Sequence, residues 1–392
     1  MPVNNLPNSK TFTDFFESEK ASGVLLIICT LASIIAANSF VGLTYLAFWH
    51  SSVAGMSVEH WINDGLMAVF FLFVGLELER ELYNGELSSF RTALLPIFAA
   101  LGGIAAPALV HFALNGGTPT QAGTGIPMAT DIAFALGALA LLGSRVPTSL
   151  KVFLTALAVM DDLGAIIVIA VFYSTDISLA YLLSALAVFL VLIAFNRILH
   201  VMRLLPYLIG GALMWFFMLK SGVHATIAGV MLAFAIPFSS KAEDVKSPSH
   251  RLENVLHKPV AFLILPIFAL ANTGIVLGAG WYEGVLSSNS LGILGGLIVG
   301  KPLGITLGTL LAVGVGLCNL PADLNKGHII GVGLLGGIGF TMSIFISNLA
   351  FAGQADVINA SKIAILAASL CAGILGILWL RFGVRAGPMR TG

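Results

Sequence analysis

Apolar runs long enough to cross a lipid bilayer recur along the whole chain, and no other feature constrains its fold as strongly. A crossing takes about 20 mainly apolar residues for about 30 Å of hydrocarbon. Twelve such runs can be drawn, over about 11–30, 58–84, 94–115, 120–142, 149–174, 181–199, 204–217, 222–235, 248–272, 291–312, 328–351 and 358–383. Hydropathy alone could merge the short, closely spaced runs 204–217 and 222–235. In hydrocarbon every backbone N–H and C=O must be bonded within the protein, so runs of this kind are read as helices. Only 10% of the residues are charged and 58% are hydrophobic; a soluble domain carries about 25% charged residues. The solvent for most of this surface is therefore lipid. The expected fold is an all-α polytopic membrane protein with twelve transmembrane helices, a single integral membrane domain over 1–392.

The basic residues support twelve crossings. With the start of the chain on the cytoplasmic side, sixteen of the nineteen Lys and Arg residues fall on that side, leaving Lys220 and Lys362 outside and Lys301 within an apolar run. Such asymmetry is the positive-inside pattern, and it predicts both termini in the cytoplasm of a bacterial inner membrane. Merging two runs would scramble it. The first twenty residues are polar and lack a charged-then-apolar leader pattern, so the first apolar run is expected to be retained. The three cysteines, Cys29, Cys318 and Cys371, are far apart in apolar stretches and are read as core thiols. Between the first two runs, residues 42–57 are rich in β-formers and read as a short hairpin or an irregular loop.

Ionisable groups in mid-span cost about 2.5–3.5 kcal/mol each on insertion scales, so each is a functional candidate. Asp161 and Asp162 lie in FLTALAVMDDLGAIIVIAVF, with apolar residues on both sides. Adjacent Cα atoms are about 3.8 Å apart, so the two carboxylates titrate as a coupled unit. Oxygen ligands that can hold a cation or protons, but not both, are what a cation/proton exchanger needs, and Na⁺ is a hard ion suited to them. The bland alternative is a pair of acids neutralised by Lys301 and merely joining helices; one acid would suffice for that. Lys301, in GILGGLIVGKPLGITLGTLL, needs a partner, and these acids are the obvious ones. It reads either as a static bridge or as a proton carrier.

Thr130 and Asp131 lie in GIPMATDIAFALG, and late in the chain GGIGFTMSIFI sets three glycines before Thr341 and Ser343. These two Gly/Pro-interrupted runs occupy corresponding places, which points to inverted-topology repeats with a site at mid-membrane. An acid there would offset positive helix ends and a lysine would suit negative ones, so Asp131 reads as scaffold or as ligand. Asp64 begins the second run and could be a helix-start acid. Glu77, Arg80 and Glu81 share one helix face at i, i+3 and i+4, which by itself describes a surface ion-pair stripe. His224, taken alone, reads as a satisfied core histidine.

Together, WINDGLMAVFFLFVGLELERE, PMATDIAFALG, LTALAVMDDLGAI, HATIAGV, LPIFALANTGI, GKPLGI and GGIGFTMSIFI resemble the bacterial NhaA family of Na⁺/H⁺ antiporters, over about residues 11–383. This family is itself one of the standard examples of the inverted-repeat rule, so the repeat argument and the resemblance are not independent. The resemblance implies twelve helices, with the fourth and eleventh unwound and crossing at mid-membrane. It implies Asp162 as the main Na⁺/Li⁺ ligand, Asp161 as the partner of Lys301, and Thr130 and Asp131 at the crossing. It implies electrogenic exchange of two protons per Na⁺, shut down at acidic cytoplasmic pH, and dimers formed through the outer hairpin region. A pH-sensing group at the cytoplasmic funnel maps onto Glu77, Arg80, Glu81, Glu253 and His257, with His224 and Asp64 grouped with it. Asn254 stands where the family has a second histidine, which puts the shape of the pH profile in doubt.

Other classes fit less well. No Gly-x-Gly-Asp motif of an intramembrane aspartyl protease occurs, and no repeated filter loop or acidic ring of a channel. A Na⁺-coupled solute symporter would share broken helices but needs a pocket for an organic solute. The expected partners are Na⁺, Li⁺, H⁺, the lipid bilayer and a second copy of the chain, without nucleic acid, cofactor or enzymatic activity.

Overall fold

The computed structural model describes residues 9–174, 176–239, 247–278 and 281–384. Residues 1–8, Lys241 and Lys246 in the loop before the ninth run, and Arg385 and Arg390 lie outside them. Ten helices among the described residues are long and apolar enough to cross a bilayer, and Lys326–Gly336 with Phe340–Ala350 forms an eleventh crossing bent by 46°. The run expected over 222–235 contributes a helix of 9 residues, Ile227–Ala235. At about 1.5 Å per residue it covers less than half of the hydrocarbon. It is nonetheless separate from its neighbour. Gly222 closes Leu204–Ser221 in a left-handed conformation with φ of 80°, which only glycine adopts without strain.

The protein is organised from the inside out. Only 11% of the apolar window in Leu179–Arg197 is buried, against 61% in Val58–Asn84 and 67% in Gln121–Ala140. This strongly apolar helix thus lies at the rim, where leucines such as Leu183 and Leu190 meet acyl chains. The interrupted segments, which carry polar groups, are shielded within the protein. That is the arrangement hydrocarbon imposes, because an unpaired backbone group costs several kcal/mol in lipid.

Close helix approach rests on small residues, as expected where lipid removes the hydrophobic drive between helices. Thr92–Asn115 meets the helix of Lys301 where a Cβ on Gly304 would collide with the Gly102 carbonyl oxygen, and one on Gly308 with that of Phe98. Of the four π-turns among the described residues, two, at Val260–Ile264 and Gly296–Gly300, end two residues before a proline, Pro266 and Pro302. Proline lacks the N–H for its i−4 bond and crowds that carbonyl, so the turn before it opens.

Two readings need correction. The β-former-rich stretch after residue 41 is mostly helix, Gly42–His50. The hairpin is confined to Ser52–Val53 and Met56–Ser57, joined by Ala54 and Gly55, both with positive φ. A local turn, not strand propensity, makes it. Of the three cysteines, all unpaired, Cys318 is buried, Cys29 is intermediate and Cys371 is exposed. The thiol is apolar enough to face lipid, so apolar sequence context did not imply the core.

Candidate functional site

The fourth run breaks into a 3₁₀ segment, Gln121–Met128, and a helix, Ile132–Ala140. Ala129 and Asp131 between them are extended, with ψ of 151° and 103°. Pro127 and the small residues around it remove the donor and the packing that would hold a continuous helix. The late run breaks between Lys326–Gly336 and Phe340–Ala350, across Gly337, Ile338 and Gly339. The two breaks bond to each other. The Asp131 N–H donates to the Ile338 carbonyl at 2.6 Å.

Asp131 serves both downstream half-helices. Its Oδ1 accepts from the Phe134 N–H at 3.1 Å, capping Ile132–Ala140. Its Oδ2 accepts from the Thr341 N–H at 3.0 Å and the Thr341 hydroxyl at 2.5 Å, in the first turn of Phe340–Ala350. One carboxylate thus faces two helix starts, where oriented N–H groups favour negative charge. At the opposite pole, Lys301 Nζ donates to the carbonyl of Met128, the last residue of the 3₁₀ segment.

Asp161 and Asp162 project from Thr148–Phe172 into this region, both buried. Lys301 Nζ lies 2.9 Å from Asp161 Oδ2, with both side chains 0% exposed. The Thr130 hydroxyl lies 2.6 Å from the same oxygen and 2.9 Å from the Gly336 carbonyl. The other oxygen of Asp161, and Oδ1 of Asp162, are buried with no hydrogen-bond partner. Among the described residues no cation is bonded to Asp162, and its charged neighbours are Asp161, Asp131, Glu77 and Lys301. Unsatisfied buried carboxylate oxygens of this kind need a proton or a cation. The geometry therefore offers one neutralised acid and one acid open to exchange.

The residues grouped by the resemblance as a pH sensor do not form one group. Arg80 reaches Glu253 at 3.2 Å, Glu81 at 3.4 Å and Glu77 at 3.8 Å, so four members cluster at one end of Val58–Asn84. His257 stands near, its ring edge-on to Phe73 at 5.9 Å. A cavity of about 30 Å³, room for about one water, touches Glu77, His257, Thr155 and Ile132, linking this cluster to the start of the half-helix after Asp131. Asp64 lies thirteen residues from Glu77 in the same span, and pairs instead with His60 at 2.9 Å. The His224 ring is bonded to the Tyr173 carbonyl at 3.0 Å. These two belong to other parts of the molecule: Asp64 stands at the opposite end of the span that carries Glu77, and His224 lies in the connection before Ile227–Ala235.

Two members of the cluster had not been singled out. His250 Nδ1 lies 3.5 Å from Glu253 Oε2, and its ring lies 5.2 Å from that of Phe238. Buried Glu79 accepts from the Ser249 hydroxyl at 3.1 Å. The i, i+3 spacing of His250 and Glu253 was the available signal. His250, one turn before Asn254, sets an imidazole beside Glu253.

Paired carboxylates and a lysine, enclosed where two interrupted spans meet inside a helical membrane protein, define a secondary ion transporter. The comparisons with known proteins narrow this further. The profile of the family described as Na⁺/H⁺ antiporter 1 matches residues 13–380, and the chain belongs to that family. It is 74% identical to the Na(+)/H(+) antiporter NhaA of Dechloromonas aromatica, over 95% of this chain and 96% of that one. It is 57% identical to the NhaA of Cytophaga hutchinsonii, over 96% of each chain, and 50% identical to the NhaA 2 of Pseudomonas syringae, over 97% of each.

Proposed function

We propose that this protein extrudes Na⁺, and also Li⁺, from the bacterial cytoplasm in exchange for external H⁺, across an inner membrane with both termini inside. One observation carries the reading beyond the family match: Asp162 is buried beside a neutralised Asp161, with a carboxylate oxygen that no described residue satisfies. Na⁺ and protons compete for that oxygen, so binding of one displaces the other. Asp131 and Lys301 hold the two breaks together by offsetting opposite helix ends. Thr130 ties Asp161 to the second break. The carboxylates with a few hydroxyls and small residues offer no pocket for an organic solute, which disfavours symport.

With two protons entering per Na⁺ leaving, each cycle moves one net positive charge inward. The membrane potential then contributes about 2.3 kcal/mol per 100 mV to every turnover. The cluster around Arg80 and Glu253 adjusts activity to cytoplasmic pH, and the outer hairpin supports a homodimer. The test uses everted membrane vesicles with an acid interior. Added Na⁺ or Li⁺ collapses the pH gradient with no organic solute present; a requirement for such a solute would refute the antiport reading.

A further inference from the structure

Three asparagines from three spans meet at the floor of a second polar cavity, of about 440 Å³, among residues that the charge pattern places outside. Asn63 lies in the first turns of Val58–Asn84, Asn272 ends the helix Leu265–Asn272, and Asn348 lies near the end of the half-helix Phe340–Ala350. Asn63 and Asn272 exchange amide bonds. Asn272 Nδ2 donates to Asn63 Oδ1 at 2.9 Å, and Asn63 Nδ2 donates to Asn272 Oδ1 at 3.3 Å. Asn348 Nδ2 donates to the same Asn272 oxygen at 2.6 Å, and Asn272 Nδ2 also donates to the Phe268 carbonyl at 3.0 Å. Both hydrogens and both lone pairs of the Asn272 amide are thus used within the protein. Asn63 and Asn348 line the cavity, whereas Asn272 is 0% exposed. The cavity stops at the triad.

The same three spans supply a layer of phenyl rings behind it. Phe71, Phe268 and Phe345 are each at most 1% exposed. The Phe345 ring lies 5.7 Å from that of Phe71 and 6.5 Å from that of Phe268. Phe268 and Phe345 stand one turn from Asn272 and Asn348, and Phe71 stands two turns from Asn63, each on the side away from the cavity. The rings pack in one cluster with Ala165, Ile166 and Ile169, which follow Asp162 by one to two turns on its helix. From the cavity inward the order is amides, phenyl rings, then the turns beside Asp162.

We propose that Asn63, Asn272 and Asn348, backed by Phe71, Phe268 and Phe345, form the outer gate of the ion path, shut in this structure. Calling it outer rests on the topology proposed above. An apolar constriction keeps ions out by excluding water. Buried amides are costly unless bonded, and here they satisfy one another when the path is shut; when it opens, water takes over the same bonds. A neutral hydrogen bond adds little net stability because water competes for its partners, so such a closure is reversible. Uncharged amides also offer no carboxylate that would hold Na⁺ short of Asp162. Phe340–Ala350 carries Asn348 near one end and the Thr341 contacts to Asp131 at the other. A shift of this half-helix at the ion site is therefore passed to the gate.

The test measures Na⁺ affinity at each face, by exchange of radiolabelled Na⁺ in right-side-out and in everted vesicles. Apparent affinity scales with the fraction of protein in the competent state, so loosening an outer gate raises affinity only at the outer face. Asn272→Ala removes every amide bond among the three spans. It should lower the apparent KM for Na⁺ at the outer face about tenfold, and not lower it at the cytoplasmic face. Asn348→Ala keeps the Asn63–Asn272 pair and should act severalfold in the same direction. Equal changes at both faces, or no change in either variant, overturn the gate. A fall confined to everted vesicles overturns its assignment to the outer face, and absence of Na⁺-driven proton movement in the wild type overturns the antiport reading instead. Should Asn272→Ala fail to fold, Asn348→Ala decides through a second measurement. Ile169→Cys should resist a membrane-impermeant thiol reagent added outside and become reactive when combined with Asn348→Ala, above the labelling of the native cysteines. Unchanged protection overturns the gate.

Discussion

The aspartate site and the Arg80 cluster are both built from acids with a basic partner, yet they are physically different. At the aspartates, Lys301 and Asp161 are 0% exposed and 2.9 Å apart. In the cluster, the Arg80 side chain is 35% exposed and shared among Glu77, Glu81 and Glu253 at 3.2–3.8 Å. Partly exposed pairs contribute about 0–1 kcal/mol each and are screened by salt. Removing one partner of a buried pair costs about 3–5 kcal/mol, because the other charge is left uncompensated. The enclosed site therefore has few states, each strongly specified, which suits selection of an ion. The cluster has several near-equivalent pairings, which suits graded adjustment.

The sharpest way to break this contrast is Asp162→Asn. The substitution keeps the volume and removes the titratable ligand, so Na⁺-dependent proton movement should be abolished in a folded protein. Retention of more than a few per cent of transport in proteoliposomes would show that Asp162 is not the exchange site.

Next in size is Lys301→Met, which leaves Asp161 buried beside Asp162 without its cation. Thermal unfolding should occur at lower temperature, by the uncompensated charge of about 3–5 kcal/mol. Reversal potentials then sharpen the assignment. An unchanged charge moved per Na⁺ makes Lys301 a bridge, and a changed one makes it a proton carrier.

A smaller effect is expected at Glu253 and His257. On the proposed mechanism protons compete with Na⁺ at the aspartates, so acid pH should raise the apparent KM for Na⁺ with or without a sensor. Glu253→Gln or His257→Ala should move the pH dependence and spare the maximal rate. If the pH profile stays in place, competition at the aspartates accounts for the regulation and the cluster is structural.

The smallest effect is His250→Gln, which removes one partner of Glu253 and leaves Arg80 in place. A shift of the profile in the same direction as Glu253→Gln, but smaller, is expected. No shift would show that His250 has no part in the pH response.

Much of this was readable from residues because the cost of placing a group in hydrocarbon is local. Asp161, Asp162 and Lys301 stand out in single apolar runs without knowledge of their neighbours. Glycines and Pro127 marked the breaks for the same reason, since each alters the backbone where it sits. The pH group was less legible. Sequence motifs placed Asp64 and His224 with Glu77, but motif membership carries no distance: Asp64 stands at the far end of the same span and His224 lies beside Tyr173.

The sequence by itself determined the solvent, the helical class, the near-complete set of crossings and the acids that deserved suspicion, since these follow from per-residue transfer costs and backbone constraints. Only the tertiary structure decided that Thr130 meets Gly336, 206 residues away, and that Asp131 caps two half-helices at once. It also decided that Lys301 selects Asp161 and leaves the neighbouring carboxylate free. Those choices depend on distances across the packed interior, where the low dielectric makes a shift of a few ångströms the difference between a bonded charge and one open to an ion.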